Sequence, residues 1–146
     1  MEDLPSHMKH YIYGQDARVA QWVAKRVDEE DFDGCKAIGV ERNGVLIAGV
    51  VYTMYTGPSI CMHVAGEPGS HWLSQEFLYR VFAYPFLQLK CYRVTGLVRA
   101  DNLHAQRFDE KLGFVREGLM RKAASDGTDM IVYGMLREDC RFLKQR

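Results

Sequence analysis

The chain has 146 residues, 47% of them apolar and 26% charged, which is the composition of one ordinary globular domain of ~150 residues. That composition excludes a disordered, collagen-like or low-complexity chain, and no apolar run approaches the ~18 residues of a membrane span. Lys plus Arg (19) equals Asp plus Glu (19), and a net charge of zero speaks against a sequence-independent nucleic-acid binder. The charge is nevertheless uneven. Residues 1–84 carry 7 basic and 11 acidic side chains, whereas residues 85–146 carry 12 and 8, so the second half suits an anionic ligand or is simply one end of a dipolar surface. The opening Met1-Glu2-Asp3-Leu4-Pro5 has no apolar h-region, so no secretory leader is expected and a cytoplasmic location is.

In chain order, residues 10–13 read as a short strand ended by Gly14. Asp16 is placed to cap a helix whose Val19, Ala20, Val23, Ala24 and Val27 recur at helical spacing. An acidic loop follows, Asp28-Glu29-Glu30-Asp31-Phe32-Asp33. Residues 36–42 and 45–55 are β-rich and joined by Asn43-Gly44, a strong hairpin signal because both positions tolerate positive φ. Residues 59–65 form a further strand, and Gly66 to Ser70 a loop. A helix is then predicted over 71–84, with Ser70 as its cap, Leu73, Phe77, Leu78, Val81 and Phe82 as its apolar stripe, and Pro85 ending it. Residues 92–98 have the continuous apolar character of a buried central strand. Asp101-Asn102 can cap a helix with Ala105, Phe108 and Leu112 inward and Gly113 after its end. Strands 114–122 and 129–136 flank a turn at Ser125-Asp126-Gly127. The order predicts a single α+β domain over 1–146, a mixed and mostly antiparallel sheet with helices on both faces.

Cys35, Cys61, Cys91 and Cys140 show no CxxC spacing, so they read as reduced core thiols. The His7/His10 pair and the Cys61-Met62-His63 run lack further ligands at recognisable spacing, and no metal is expected.

The segment Asp101-Asn102-Leu103-His104-Ala105-Gln106-Arg107-Phe108-Asp109-Glu110-Lys111-Leu112-Gly113-Phe114-Val115-Arg116-Glu117-Gly118 carries the chemical signal. It resembles the N-x-x-A…E-K-L-G-F-x-x-E-G signature of the GCN5-related N-acetyltransferase (GNAT) superfamily, in particular the branch that acetylates protein N-termini and similar amines. Arg121 and the Asp126-Gly127 turn also look like that branch, and the resemblance covers roughly residues 36–137. It implies a GNAT fold, acetyl-CoA as co-substrate, and transfer of the acetyl group to a small-molecule or peptide amine in a ternary complex. A homodimer stays open, and neither a membrane nor nucleic acid is expected as a partner.

The resemblance places a cofactor loop, Arg/Gln-x-x-Gly-x-Gly/Ala, at Gly69, Ser70, His71, Trp72, Leu73 and Ser74. Here Gly69 stands where Arg or Gln is usual, and Trp72 and Ser74 replace the two small residues. It further implies a backbone N–H at Val64 for the thioester carbonyl and a contact from Asn102 to the pantetheine arm. A lysine-like amine, pKa ~10.4, must lose a proton before attack, and His63, Glu67 and His71 are the candidate bases; His63 and Glu67 are preferred. Relatives carry a tyrosine acid where this chain has Asp109. An exposed carboxyl with pKa ~3.9 donates poorly at pH 7, so the thiolate is expected to leave unaided or to take its proton from water. Five carboxylates, Asp28, Glu29, Glu30, Asp31 and Asp33, are the candidate acceptor site, since they would concentrate a cationic amine. Two other readings remain: a GNAT-shaped binding module without turnover, for which Trp72 argues, and a nucleobase-modifying enzyme of the same fold.

Overall fold

The structure, a computed structural model, describes residues 8–27, 32 and 34–144. Seven strands lie in chain order at Lys9–Ile12 (β1), Lys36–Arg42 (β2), Val45–Thr53 (β3), Ser59–Gly66 (β4), Arg93–Arg99 (β5), Val115–Met120 (β6) and Met130–Leu136 (β7). Three α-helices, Asp16–Arg26 (α1), Gln75–Ala83 (α2) and Leu103–Leu112 (α3), punctuate them. The element order is the expected one, and the fold is α+β with a mixed, mostly antiparallel sheet. Two compact units are distinguished: residues up to Thr53 together with His63–Val81, and Met54–Met62 together with Phe82 onward.

In the first unit the strand order is β1-β2-β3-β4. β1 and β3 each pair antiparallel with β2, and the β2–β3 hairpin turns through Asn43 (φ 56°) and Gly44 (φ 78°) as its sequence requires. α1 buries the predicted stripe Val19, Ala20, Val23 and Ala24 against Ala37, Leu46 and Val51. Asp16 does not cap this helix. Gln15 precedes the first turn without a side-chain cap, and the Asp16 carboxylate accepts a hydrogen bond from the Ala37 N–H at 2.9 Å, tying α1 to β2.

α2 starts at Gln75, later than predicted. Ser70 is not its cap: the Ser70 hydroxyl turns back to the Glu67 carbonyl at 2.7 Å, while Ser74 Oγ accepts from the Phe77 N–H at 3.1 Å. Leu73 therefore lies outside the helix and is 43% exposed, whereas Phe77 and Val81 are buried.

In the second unit the order is β4-β5-β7-β6. β4 pairs in parallel with β5 over Ser59–Met62, and β5 and β6 both run antiparallel to β7. β5 alternates buried and half-buried residues rather than being continuously buried, and Tyr92, just before it, is 65% exposed. Pro85 ends the α-helix as predicted, by an i→i+5 turn: Tyr84–Gln88 is π-helical, closed by the Leu89 N–H on the Tyr84 carbonyl. The core contains a ring cluster in which Phe82 lies within 5.3 to 6.2 Å of Phe86, Phe114 and Phe142. No helix of the described residues is long and apolar enough to cross a membrane.

Candidate active site

The first unit holds the end of β4 and the loop that follows. His63 is half-buried on β4. Its Nε2 lies 3.0 Å from Thr53 Oγ1, and the Phe32 ring packs at 4.7 Å. Burial pushes its pKa down to about 4, because removing the imidazolium from water costs more than removing the neutral ring. His63 is thus neutral at pH 7. In the unfolded chain it titrates near 6.5, so folding stability that is intact above that pH is lost as pH falls toward 4. His63→Gln is expected to flatten this acid limb by up to about 3 kcal/mol, measured as urea midpoints between pH 4 and 7.

Glu67 is held by two N–H groups of Arg26 at 2.9 and 2.6 Å, and the same guanidinium lies 3.5 Å over the Trp22 ring. Val64, half-buried, lies two residues beyond Met62, the last β4 residue paired with β5.

The loop is built around Trp72. A Cβ on Gly66 would fall 2.0 Å from the indole, so the ring sits directly on the Gly66 backbone, and only glycine admits it. Phe77 meets the indole edge-on at 6.0 Å. Gly69 (φ 77°) and His71 (φ 57°) are both left-handed, so the chain turns twice between Glu67 and Ser74. Ser74 then opens α2, whose first-turn amides are the kind of donors that face anions.

The second unit holds α3. Asn102 caps it, its side-chain oxygen accepting from the Ala105 N–H at 3.0 Å, and Gly113 (φ 111°) ends it. The sequence reading missed Gln106, whose amide donates to the carbonyls of Ala100 (3.0 Å) and Arg99 (3.3 Å) and so locks the turn before the helix. It is the buried polar residue among the described ones, and a glutamine four positions after an N-cap asparagine was the available signal. Arg99 adds ion pairs to Asp101 (3.0 Å) and Asp126 (2.8 Å), which hold both carboxyls below the usual carboxylate range. Asp126 in the predicted turn therefore fastens the β6–β7 connection to the end of β5.

Asp109 corrects an expectation. It is half-buried on α3, not exposed, and its Oδ2 would be 3.0 Å from a Cβ placed on Gly96 of β5. Gly96 thus makes the room the carboxyl occupies. Burial, with Glu110 adjacent, pushes the Asp109 pKa up to about 7. Glu110 itself accepts a hydrogen bond from the Tyr133 hydroxyl at 2.7 Å, which together with burial raises that phenol to about 12. Near pH 7 Asp109 therefore still holds part of its proton, unlike an exposed carboxyl of pKa ~3.9.

The acidic run Asp28, Glu29, Glu30, Asp31 and Asp33 lies outside the described residues. The four cysteines are free thiols, and no group of three His, Cys, Asp or Glu among the described residues could hold a metal.

No family model matches the chain, and no curated protein does. Solved structures do match. A mutant form of the spermidine/spermine N-acetyltransferase SpeG from Vibrio cholerae is 16% identical with a TM-score of 0.68, over 94% of this chain and 96% of that one. Ard1 from Thermoplasma volcanium is 16% identical with a TM-score of 0.65, over 88% and 97%. A GNAT-family acetyltransferase from Bacillus anthracis is 21% identical with a TM-score of 0.59, over 81% and 72%. Another solved acetyltransferase, 24% identical, is longer, and this chain spans 65% of it. The fold is that of the GNAT acetyltransferases.

Proposed function

We propose that the chain transfers an acetyl group from acetyl-CoA to an amine by direct attack in a ternary complex. The observation that carries this reading is the Asn102–Gly113 segment, folded as a capped helix directly after β5 in a chain with the GNAT fold. Acetyl-CoA supplies an activated acyl carbon. Gly69, Ser70, His71, Trp72, Leu73, Ser74 and the first turn of α2 would hold its pyrophosphate, where the dipole at the helix N-terminus favours an anion. The Val64 N–H would take the developing oxyanion, and Asn102 the pantetheine arm.

His63, neutral at pH 7, and Glu67 are the groups assigned to the proton of the incoming ammonium, directly or through water. As nitrogen bonds to the acyl carbon the C–S bond breaks, and Asp109 gives its proton to the departing thiolate. A donor with pKa about 7 is matched to a thiol of pKa ~8.5, so this transfer runs downhill. The acidic run Asp28–Asp33 is assigned to drawing in the cationic amine.

A second reading, a binding module without turnover, is favoured by the Trp72 ring occupying the Gly66 backbone. Acetyl-CoA-dependent release of free thiol in the presence of a primary amine separates the two.

A further inference from the structure

β1 presents Lys9 and Tyr11 on one face by strand alternation, and Tyr13 continues that side just past its end. All three reach residues 71–80. The Lys9 ammonium donates to the His71 carbonyl. Tyr11 Oη lies 3.2 Å from Ser74 Oγ, the same oxygen that accepts the Phe77 N–H. The Tyr11 ring stacks on Phe77 with centroids 5.9 Å apart and planes within 6°. Tyr13 accepts a hydrogen bond from Arg80 at 3.0 Å, and the Arg80 guanidinium lies 4.4 Å over the Tyr11 ring.

These contacts fall on His71 and Ser74, the two ends of the turn that leads into α2. His71 is a non-glycine residue at φ 57°, a conformation that costs free energy unless its surroundings fix it. Lys9 holds the carbonyl of that residue. Ser74 must keep one rotamer to cap α2, and Tyr11 bonds to the hydroxyl that does so.

We infer that Lys9 and Tyr11 are positioning residues that hold the His71–Ser74 turn and the start of α2 in their binding geometry, doing from β1 what a glycine-rich turn would do locally. The inference rests on the acetyl-CoA reading above. The side chains touch the loop and are assigned no contact with the acyl group, so their loss acts on cofactor affinity and leaves the chemical step alone.

The test uses Tyr11→Phe, which keeps the ring stack and removes only the hydroxyl, together with Lys9→Met and Lys9→Arg. Hydrogen exchange at amides 72–77 and the dissociation constant for acetyl-CoA are measured in each. The expected result is at least fivefold faster exchange confined to 72–77 and at least fivefold weaker acetyl-CoA binding in Tyr11→Phe and Lys9→Met, with Lys9→Arg restoring both and kcat at saturation within twofold. Unchanged exchange overturns the positioning role. Faster exchange with unaltered affinity overturns its link to the cofactor. A wild-type protein that does not bind acetyl-CoA overturns the reading beneath it, and the exchange data then stand apart from that failure.

Discussion

Asp109→Asn is expected to lower kcat a hundredfold or more, about 2.7 kcal/mol of transition-state stabilisation, and to make the protein more stable above pH 7. The two effects have one cause. The carboxyl sits in the space that Gly96 leaves open, with Glu110 beside it, and titrates near 7 in the folded protein. In the unfolded chain it titrates near 3.8, so between those values the folded state holds the extra proton. Stability therefore falls as pH rises from about 4 through 7, and above that the fold carries a desolvated carboxylate. Asparagine keeps the shape and has no charge to desolvate, so the melting temperature at pH 8 rises, while near pH 4 the two proteins converge. It also has no acidic proton to give, so the thiolate leaves unaided. A loss of kcat below tenfold would return proton donation to water, and an unchanged melting temperature at pH 8 would contradict the buried charge.

Phe82→Ala is expected to cost about 3–5 kcal/mol of stability. Phe82 is fully buried, stacked on Phe142 at 5.3 Å and on Phe86 at 6.2 Å, and tilted against Phe114 at 6.1 Å. Removing it deletes the ring that all three share, and three rigid aromatic neighbours cannot close the space. Chemical denaturation followed by fluorescence and by far-ultraviolet dichroism measures it. A cost below about 1 kcal/mol would mean that the cluster collapses onto the gap.

The features legible in the sequence are those set by local chemistry. Asn43-Gly44 made its turn, Asn102 and Gly113 bounded α3, and Val19, Ala20, Val23 and Ala24 formed the inner stripe of α1, because each depends on spacing or backbone preference within a few residues. The errors came from contacts distant along the chain. Asp16 looked like a cap, yet Ala37 competes for its carboxylate. Ser70 and Ser74 are equally plausible caps by residue type, and the choice falls to Ser74, which Tyr11 meets from β1. Asp109, followed by Glu110 and Lys111, read as a solvated position. Its burial depends on Gly96 thirteen residues earlier, a small residue whose consequence shows only when β5 and α3 are placed together. The same holds for Trp72, whose departure from the loop pattern was visible in sequence but whose seat on Gly66 was not.

The most direct measurement of the central claim is a turnover assay on the purified chain with acetyl-CoA and a set of primary amines, among them a polyamine and a peptide with a free N-terminus. Free thiol is followed by colour and the acetylated amine by mass. The account predicts thiol release that requires an amine, saturates with acetyl-CoA, matches the acetylated product mole for mole, and falls sharply in Asp109→Asn. Tight acetyl-CoA binding with no amine-dependent thiol release for any amine of the set would contradict it and make the chain a binding module of the same fold.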